Sequence, residues 1–173
     1  MTKRLLAAAI ALSLSCPLAT SAQTGPVVQS LKALNDITTT NILATVETLD
    51  EALFSFRPTE EVRSMGQILA HIANAQYTFC STAAGEGNPS SEDFEESATT
   101  KTQIKAALEA GFAYCTEVYA GMTDAAGAEM VSFFGTSMAK SGVLAFNSAH
   151  NFEHYGNLVT YMRLNGIVPP SSR

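Results

Sequence analysis

His150-Asn151-Phe152-Glu153-His154 lies inside an unbroken helical pattern over residues 139–164, and the fold turns on how that pattern is read. Residues four apart in a helix share a face, one turn above each other. At about 100° per residue, Ala139, Val143, Phe146, His150, His154, Asn157, Tyr161 and Leu164 fall on one stripe, which is expected to face a core. The middle of that stripe carries two imidazoles. Two histidines stacked on an inward face can chelate one transition metal, provided another element supplies a third donor. The chain has three histidines, and the remaining one, His71, also lies on a helical pattern.

Three more long helical segments precede this one. The first is expected over residues 26–50, with Leu31, Leu34, Ile42, Val46, Leu49 and Leu53 at helical spacing and a polar middle at residues 38–41. Phe56-Arg57-Pro58 ends it, because a residue before proline is pushed out of the α region. The second starts at Ser64 as N-cap, with Gln67 completing a capping box. Met65, Ile68, Leu69, Ile72 and Phe79 form its stripe, and Gly85 and Gly87 stop it. A polar loop over residues 87–99 leads to the third helix, which has Thr100 as N-cap and Gln103 in the capping-box position. Its face is Ile104, Leu108, Gly111, Cys115, Val118 and Met122, and Gly121 sits where a C-cap is expected. Residues 123–137 read as irregular, with one short turn of helix. Asn165-Gly166 and Pro169-Pro170 close the last helix. Strand signals are weak and no internal repeat is present. The expected fold is all-α, a four-helix bundle, a class that builds metal sites from side chains on facing helices.

The leading segment stands apart from this pattern. Met1-Thr2-Lys3-Arg4 is a basic n-region, residues 5–14 are apolar, and Thr20-Ser21-Ala22 supplies small residues before Gln23. Together they predict a signal peptide over residues 1–22 and one domain over residues 23–173, exported to the periplasm or the exterior. Cys16 offers a lipoprotein alternative, but Ser13-Leu14-Ser15 places leucine one position too late for that cleavage signal. The apolar run is well short of the ~20 residues of a spanning helix, so no membrane span is expected.

The chain carries a net charge of −6, and removing the leader takes away two cations. With no cluster of Lys or Arg, a nucleic-acid surface is excluded, and attraction to anionic lipid has no support. Cys80 and Cys115 remain outside the leader. In an exported protein such a pair suggests a disulfide, closing a loop of about 36 residues worth roughly 3–4 kcal/mol on the chain-entropy model. Two buried thiols are the alternative.

His71 lies on the flank of its helix's apolar face, beside Ile68 and Ala75, where a neighbouring helix would approach. Three neutral imidazoles around one divalent ion would leave positions open for water or a substrate, as in a catalytic site. Imidazole donors suit Zn, Ni, Fe and Cu alike, so the metal's identity does not follow. The plain alternative is a set of core histidines satisfied by hydrogen bonds. Cys80 is not a ligand beside His71, because nine residues of helix separate them by about 13 Å. His150, Glu153 and His154 also match H-x-x-E-H, in which Glu153 would act as general base. That motif needs a further acidic ligand well downstream, and few residues follow His154. Glu153 remains a candidate for orienting a ligand. Serine-hydrolase elbows and phosphate-binding glycine loops are absent from the sequence.

The run from Phe56-Arg57-Pro58-Thr59-Glu60-Glu61-Val62-Arg63-Ser64-Met65 to Gly66-Gln67-Ile68-Leu69-Ala70-His71-Ile72-Ala73 resembles the first histidine segment of the DinB-like (YfiT-like) metal-binding four-helix bundles. The closing run from His150 to Pro170, with its Gly166-Ile167-Val168-Pro169 ending, resembles the last helix of that family. The resemblance implies an up-down-down-up bundle holding a divalent ion on His71, His150 and His154. Characterised members include thiol-S-transferases and a mycothiol-dependent maleylpyruvate isomerase. By resemblance, then, the expected activity is that of a metal-dependent transferase or hydrolase acting on a small-molecule substrate, with a thiol cosubstrate. Family members often pair, so a homodimer is expected on the same ground. An export signal conflicts with cytosolic thiols as donors, which leaves a non-catalytic envelope metal-binding or stress-response protein as the alternative.

Overall fold

Pro26 opens α1 (Pro26–Thr48) at a position where its missing N–H is no loss. Here Asp124 accepts from the backbone N–H groups of Val27 at 3.2 Å and Val28 at 2.9 Å, placing a carboxylate on the helix's positive end. The computed structural model describes residues 25–173. The leader assigned to residues 1–22, including Cys16, lies outside the described residues.

A 3-10 turn (Glu51–Ser55) follows, and then α2 (Met65–Ala84) begins at the expected capping box. Ser64 accepts from Gln67 N–H at 3.3 Å, while Gln67 Oε1 accepts from Ser64 N–H at 3.0 Å. Gly85 ends α2 with φ +77, a left-handed conformation that glycine adopts without steric cost. A one-turn helix, α3 (Phe94–Ser97), interrupts the polar loop. Next comes α4 (Lys101–Gly121), whose Thr100 and Gln103 form the second capping box. Gly121 is its last residue and Met122 its C-cap, so the glycine lies one position inside the expected cap.

The region expected to be irregular holds more order than its sequence suggested. The short turn of helix is α5 (Asp124–Gly127), and beyond it β1 (Met130–Phe133) pairs antiparallel with β2 (Thr136–Ala139). Ala139 then caps α6 (Lys140–Leu164).

The four long helices form an all-α bundle in which α2 packs against α4 and α6, and α1 packs against the same two. The long connection between α1 and α2 allows consecutive helices to take diagonal positions. Two apolar clusters fill the bundle. One is built around Ile42, Leu69, Leu108 and Leu158, the other around Val28, Phe79, Tyr119 and Leu144. The Cys80–Cys115 disulfide ties α2 to α4 across the second cluster, with Cα atoms 5.3 Å apart.

Between the clusters lies a polar layer: Asn35, Gln76, Asn147 and Asn151 are all fully buried. Asn147 Nδ2 reaches Gln76 Oε1 at 3.2 Å, Asn35 Oδ1 at 3.3 Å and the Tyr119 hydroxyl at 3.3 Å, while Gln76 Nε2 donates to Asn151 Oδ1 at 2.8 Å. Gly111 of α4 belongs here, since a Cβ at that position would meet Gln76 Cβ at 3.1 Å and Ala73 O at 3.3 Å.

This layer corrects the expected stripe of α6. The buried face runs through Val143, Leu144, Asn147, Ser148, Asn151, His154, Tyr155, Leu158, Tyr161 and Met162. Phe146 and Leu164, expected to be inward, are exposed, and Asn157 faces out as well. Polar residues occupy the most central positions, so a stripe drawn through apolar residues is rotated toward the flank. In the same way Leu34 of α1 is exposed and its neighbour Asn35 is buried. Among the described residues no helix is long and apolar enough to cross a membrane.

Candidate metal centre

His71 stands in the second turn of α2, and His150 and His154 stand one turn apart in the middle of α6. Because α2 and α6 are neighbours, the three rings meet on the flank of their interface. His150 Nε2 lies 3.1 Å from His71 Nε2 and 3.0 Å from His154 Nε2. All three donor atoms are within 4.8 Å of one another. His154 is buried, at 8 % exposure, while His71 and His150 are partly exposed.

The second nitrogen of His71 is held by a carboxylate. Its Nδ1 donates to Glu95 Oε1 at 2.6 Å, which fixes the tautomer and turns the Nε2 lone pair toward the other two rings. Glu95 is itself positioned from two sides. Arg63 Nε donates to its Oε2 at 2.9 Å. Asn74, one turn after His71, donates to Asp93 Oδ1 at 2.7 Å and accepts from Phe94 N–H at 2.9 Å, docking α3 on α2. The one-turn helix in the polar loop therefore carries the carboxylate that orients the first imidazole.

The other two rings sit in poorer surroundings. Burial, followed by the like charges of His154 and His71 and then Arg63, pushes His150 down from the usual imidazole range to about 3. His154 is lowered as well, by burial first and then by His71. Both are therefore neutral near pH 7, the form that binds metal. Their Nδ1 atoms are buried and have no protein partner, so the polar contacts of both rings run through Nε2 alone.

This donor set fits a metal ion. Two nitrogens bound at 2.0–2.1 Å and subtending 90–110° at the ion lie about 2.9–3.4 Å apart, the range of the His150–His71 and His150–His154 separations. His71 and His154 stand wider, within 4.8 Å, and must draw together for one ion to hold all three. The chemistry agrees. With the His71 Nε2 lone pair committed, a proton on His150 Nε2 can bridge to only one neighbouring lone pair well, whereas one cation satisfies all three.

The sequence singled out His71, His150 and His154, and the structure brings all three together. Glu153, considered for the H-x-x-E-H motif, is exposed on α6. Glu95, not Glu153, is the carboxylate hydrogen-bonded to a ring of the cluster. The sequence carries no signal for the role of Glu95, since an acidic residue in a Ser- and Glu-rich loop has no spacing that ties it to His71. Beside His154 opens a groove of about 320 Å³ lined by Glu61, Arg63, Glu153, Asn157 and Tyr161.

A family model described as the DinB superfamily matches residues 35–158. No curated protein matches the chain. Solved structures do share the fold. A DinB-like protein from Bacillus cereus ATCC 10987 superposes with a TM-score of 0.70 at 20 % identity, over 83 % of this chain and 93 % of that one. A DinB-like protein from Bacillus subtilis gives 0.61 at 16 % identity, over 82 % and 92 %. The mycothiol-dependent maleylpyruvate isomerase gives 0.63 at 19 % identity, over 76 % of this chain and 60 % of that one.

Proposed function

Since the chain belongs to the DinB superfamily, we propose that it holds one divalent metal ion on His71, His150 and His154 and uses it as a transferase or hydrolase acting on a small molecule. The observation that carries this reading is the meeting of three Nε2 atoms from two helices, two of them on rings held neutral by burial. A bound divalent ion supplies a Lewis acid that lowers the pKa of a coordinated thiol or water. The rest is the work of side chains. Glu95 holds His71 in one tautomer and one orientation. Arg63 donates to Glu95 and holds its carboxylate in place. The groove admits a small molecule to the side of His154, with Glu61, Arg63 and Glu153 on its wall. A thiol cosubstrate is supported by the name of one structural relative, a mycothiol-dependent enzyme.

Export to the envelope is part of the proposal. It rests on the leader pattern of residues 1–22 and on a disulfide of the kind that persists in oxidising compartments. Pairing of two chains rests on the family resemblance alone. A second reading, an envelope protein that binds the ion without catalysis, is favoured by the burial of His154 at 8 %.

Metal analysis of the purified protein tests the core of this proposal. About one ion per chain, lost on His150→Ala, is expected. Less than about 0.2 ion per chain, with melting unchanged by chelation, would count against both metal readings. A Co²⁺-loaded sample separates the two. A shift of its visible spectrum on adding azide or a small thiol supports an accessible position, and an unaltered spectrum supports storage.

A further inference from the structure

The hairpin before α6 has a feature that folding alone does not explain. Phe133 pairs with Thr136, leaving Phe134 and Gly135 as a two-residue turn with φ +48 and +77. Such turns call for Asn or Asp followed by Gly, because a residue with a bulky side chain is disfavoured at positive φ. A phenylalanine held there gains little burial in return, since its ring is 73 % exposed. Backbone held in a disfavoured region concentrates at functional sites.

The ring of Phe134 ends a row that leads to the imidazoles. It lies 6.0 Å from Phe146 and 4.4 Å from Phe133, by ring centroids. Phe146 is tilted only 28° from the plane of His150, at 6.4 Å. Phe79 sits behind, edge-on to Phe146 at 5.2 Å and to His150 at 5.1 Å. Phe79 and Phe133 are buried and do the packing, whereas Phe134 and Phe146 remain open to solvent. The row is continuous with the candidate metal centre, on the side carried by His150, while the charged groove opens beside His154.

We propose that Phe134 and Phe146 form an apolar wall of this centre that selects small molecules carrying an aromatic ring next to the atom presented to the histidines. The proposal rests on the reading of the three histidines as a small-molecule site and adds the class of substrate. Edge-to-face and offset contacts between rings favour an aromatic group over an aliphatic one of similar size.

The test compares benzyl mercaptan with cyclohexylmethyl mercaptan, an aliphatic thiol of similar size, by ligand-observed NMR titration, on the Co²⁺-loaded protein and again after chelation. Phe134→Asn is the variant of choice because asparagine suits the turn and keeps the hairpin. The wild type is expected to bind benzyl mercaptan up to roughly tenfold more tightly than cyclohexylmethyl mercaptan, with saturation transfer to its ring protons. Phe134→Asn and Phe146→Ala should each reduce that preference about threefold or more. An unchanged preference in both variants overturns the wall, as does a change confined to self-association in sedimentation, which would assign Phe134 to a second copy. Ring transfer in the chelated protein without any thiol-induced change in the Co²⁺ spectrum would sink the metal reading and leave the wall standing. A thiol-induced spectral change with no preference for the ring would do the reverse.

Discussion

Replacing Glu95 with Gln removes a charge from the site and leaves the three donors untouched. Glu95 accepts from His71 Nδ1 at 2.6 Å and from Arg63 Nε at 2.9 Å. Loss of a carboxylate behind a ligating histidine costs 10–100-fold in metal affinity, about 1.4–2.7 kcal/mol. Glu95 is 25 % exposed and shares its charge with Arg63, so screening places the expected loss near the lower end, about tenfold. The assay is a competition titration of the metal-free protein against a chromophoric chelator. Circular dichroism should be unchanged, because α3 is docked by Asn74 and Asp93 rather than by Glu95. Glu153→Gln serves as the control. Glu153 is exposed on α6, so less than about a twofold change is expected. Equal affinity of Glu95→Gln and the wild type would refute the assignment of Glu95 as the orienting carboxylate. A larger effect at Glu153 would move that role to α6.

Three further outcomes follow from the same structure. His150 is lowered to about 3, so between that value and the ordinary 6.5 the folded state binds fewer protons than the unfolded chain. The stability it contributes is present above 6.5 and is lost as pH falls through this window, so metal-free melting should drop on acidification and drop less in His150→Leu. Opening the Cys80–Cys115 bond, which spans 35 residues, should destabilise the protein by roughly 3–4 kcal/mol in denaturant titrations with and without reductant. Asn147→Ala withdraws two N–H donors shared among Gln76, Asn35 and Tyr119 in a fully buried layer, and should cost about 2–3 kcal/mol in the same titration.

Much of the scaffold was legible because its signals are local. Ser64 with Gln67 and Thr100 with Gln103 are capping boxes that sequence spacing reveals, and both form. The helical period also placed Met65, Ile68, Leu69, Ile72 and Phe79 inside, where all five are buried. The buried face of α6 was misjudged because Asn147, Ser148 and Asn151 hold its centre, and their partners come from α1, α2 and α4. Such burial depends on long-range hydrogen bonds that no periodicity records. The hairpin escaped notice for a different reason. Its strands are four residues long, and the turn Phe134-Gly135 lacks the usual Asn-Gly or Asp-Gly signal. At the site, the three histidines could be found because the chain has no others. Glu95 could not, because it reaches His71 only through the docking of α3 by Asn74.

X-ray absorption at the metal edge of the loaded protein tests the central claim most directly. The account predicts about three imidazole scatterers at roughly 2.0–2.1 Å, with one lost in each of His71→Ala, His150→Ala and His154→Ala. An ion bound with one imidazole or none, or a coordination shell indifferent to His71→Ala, would contradict it.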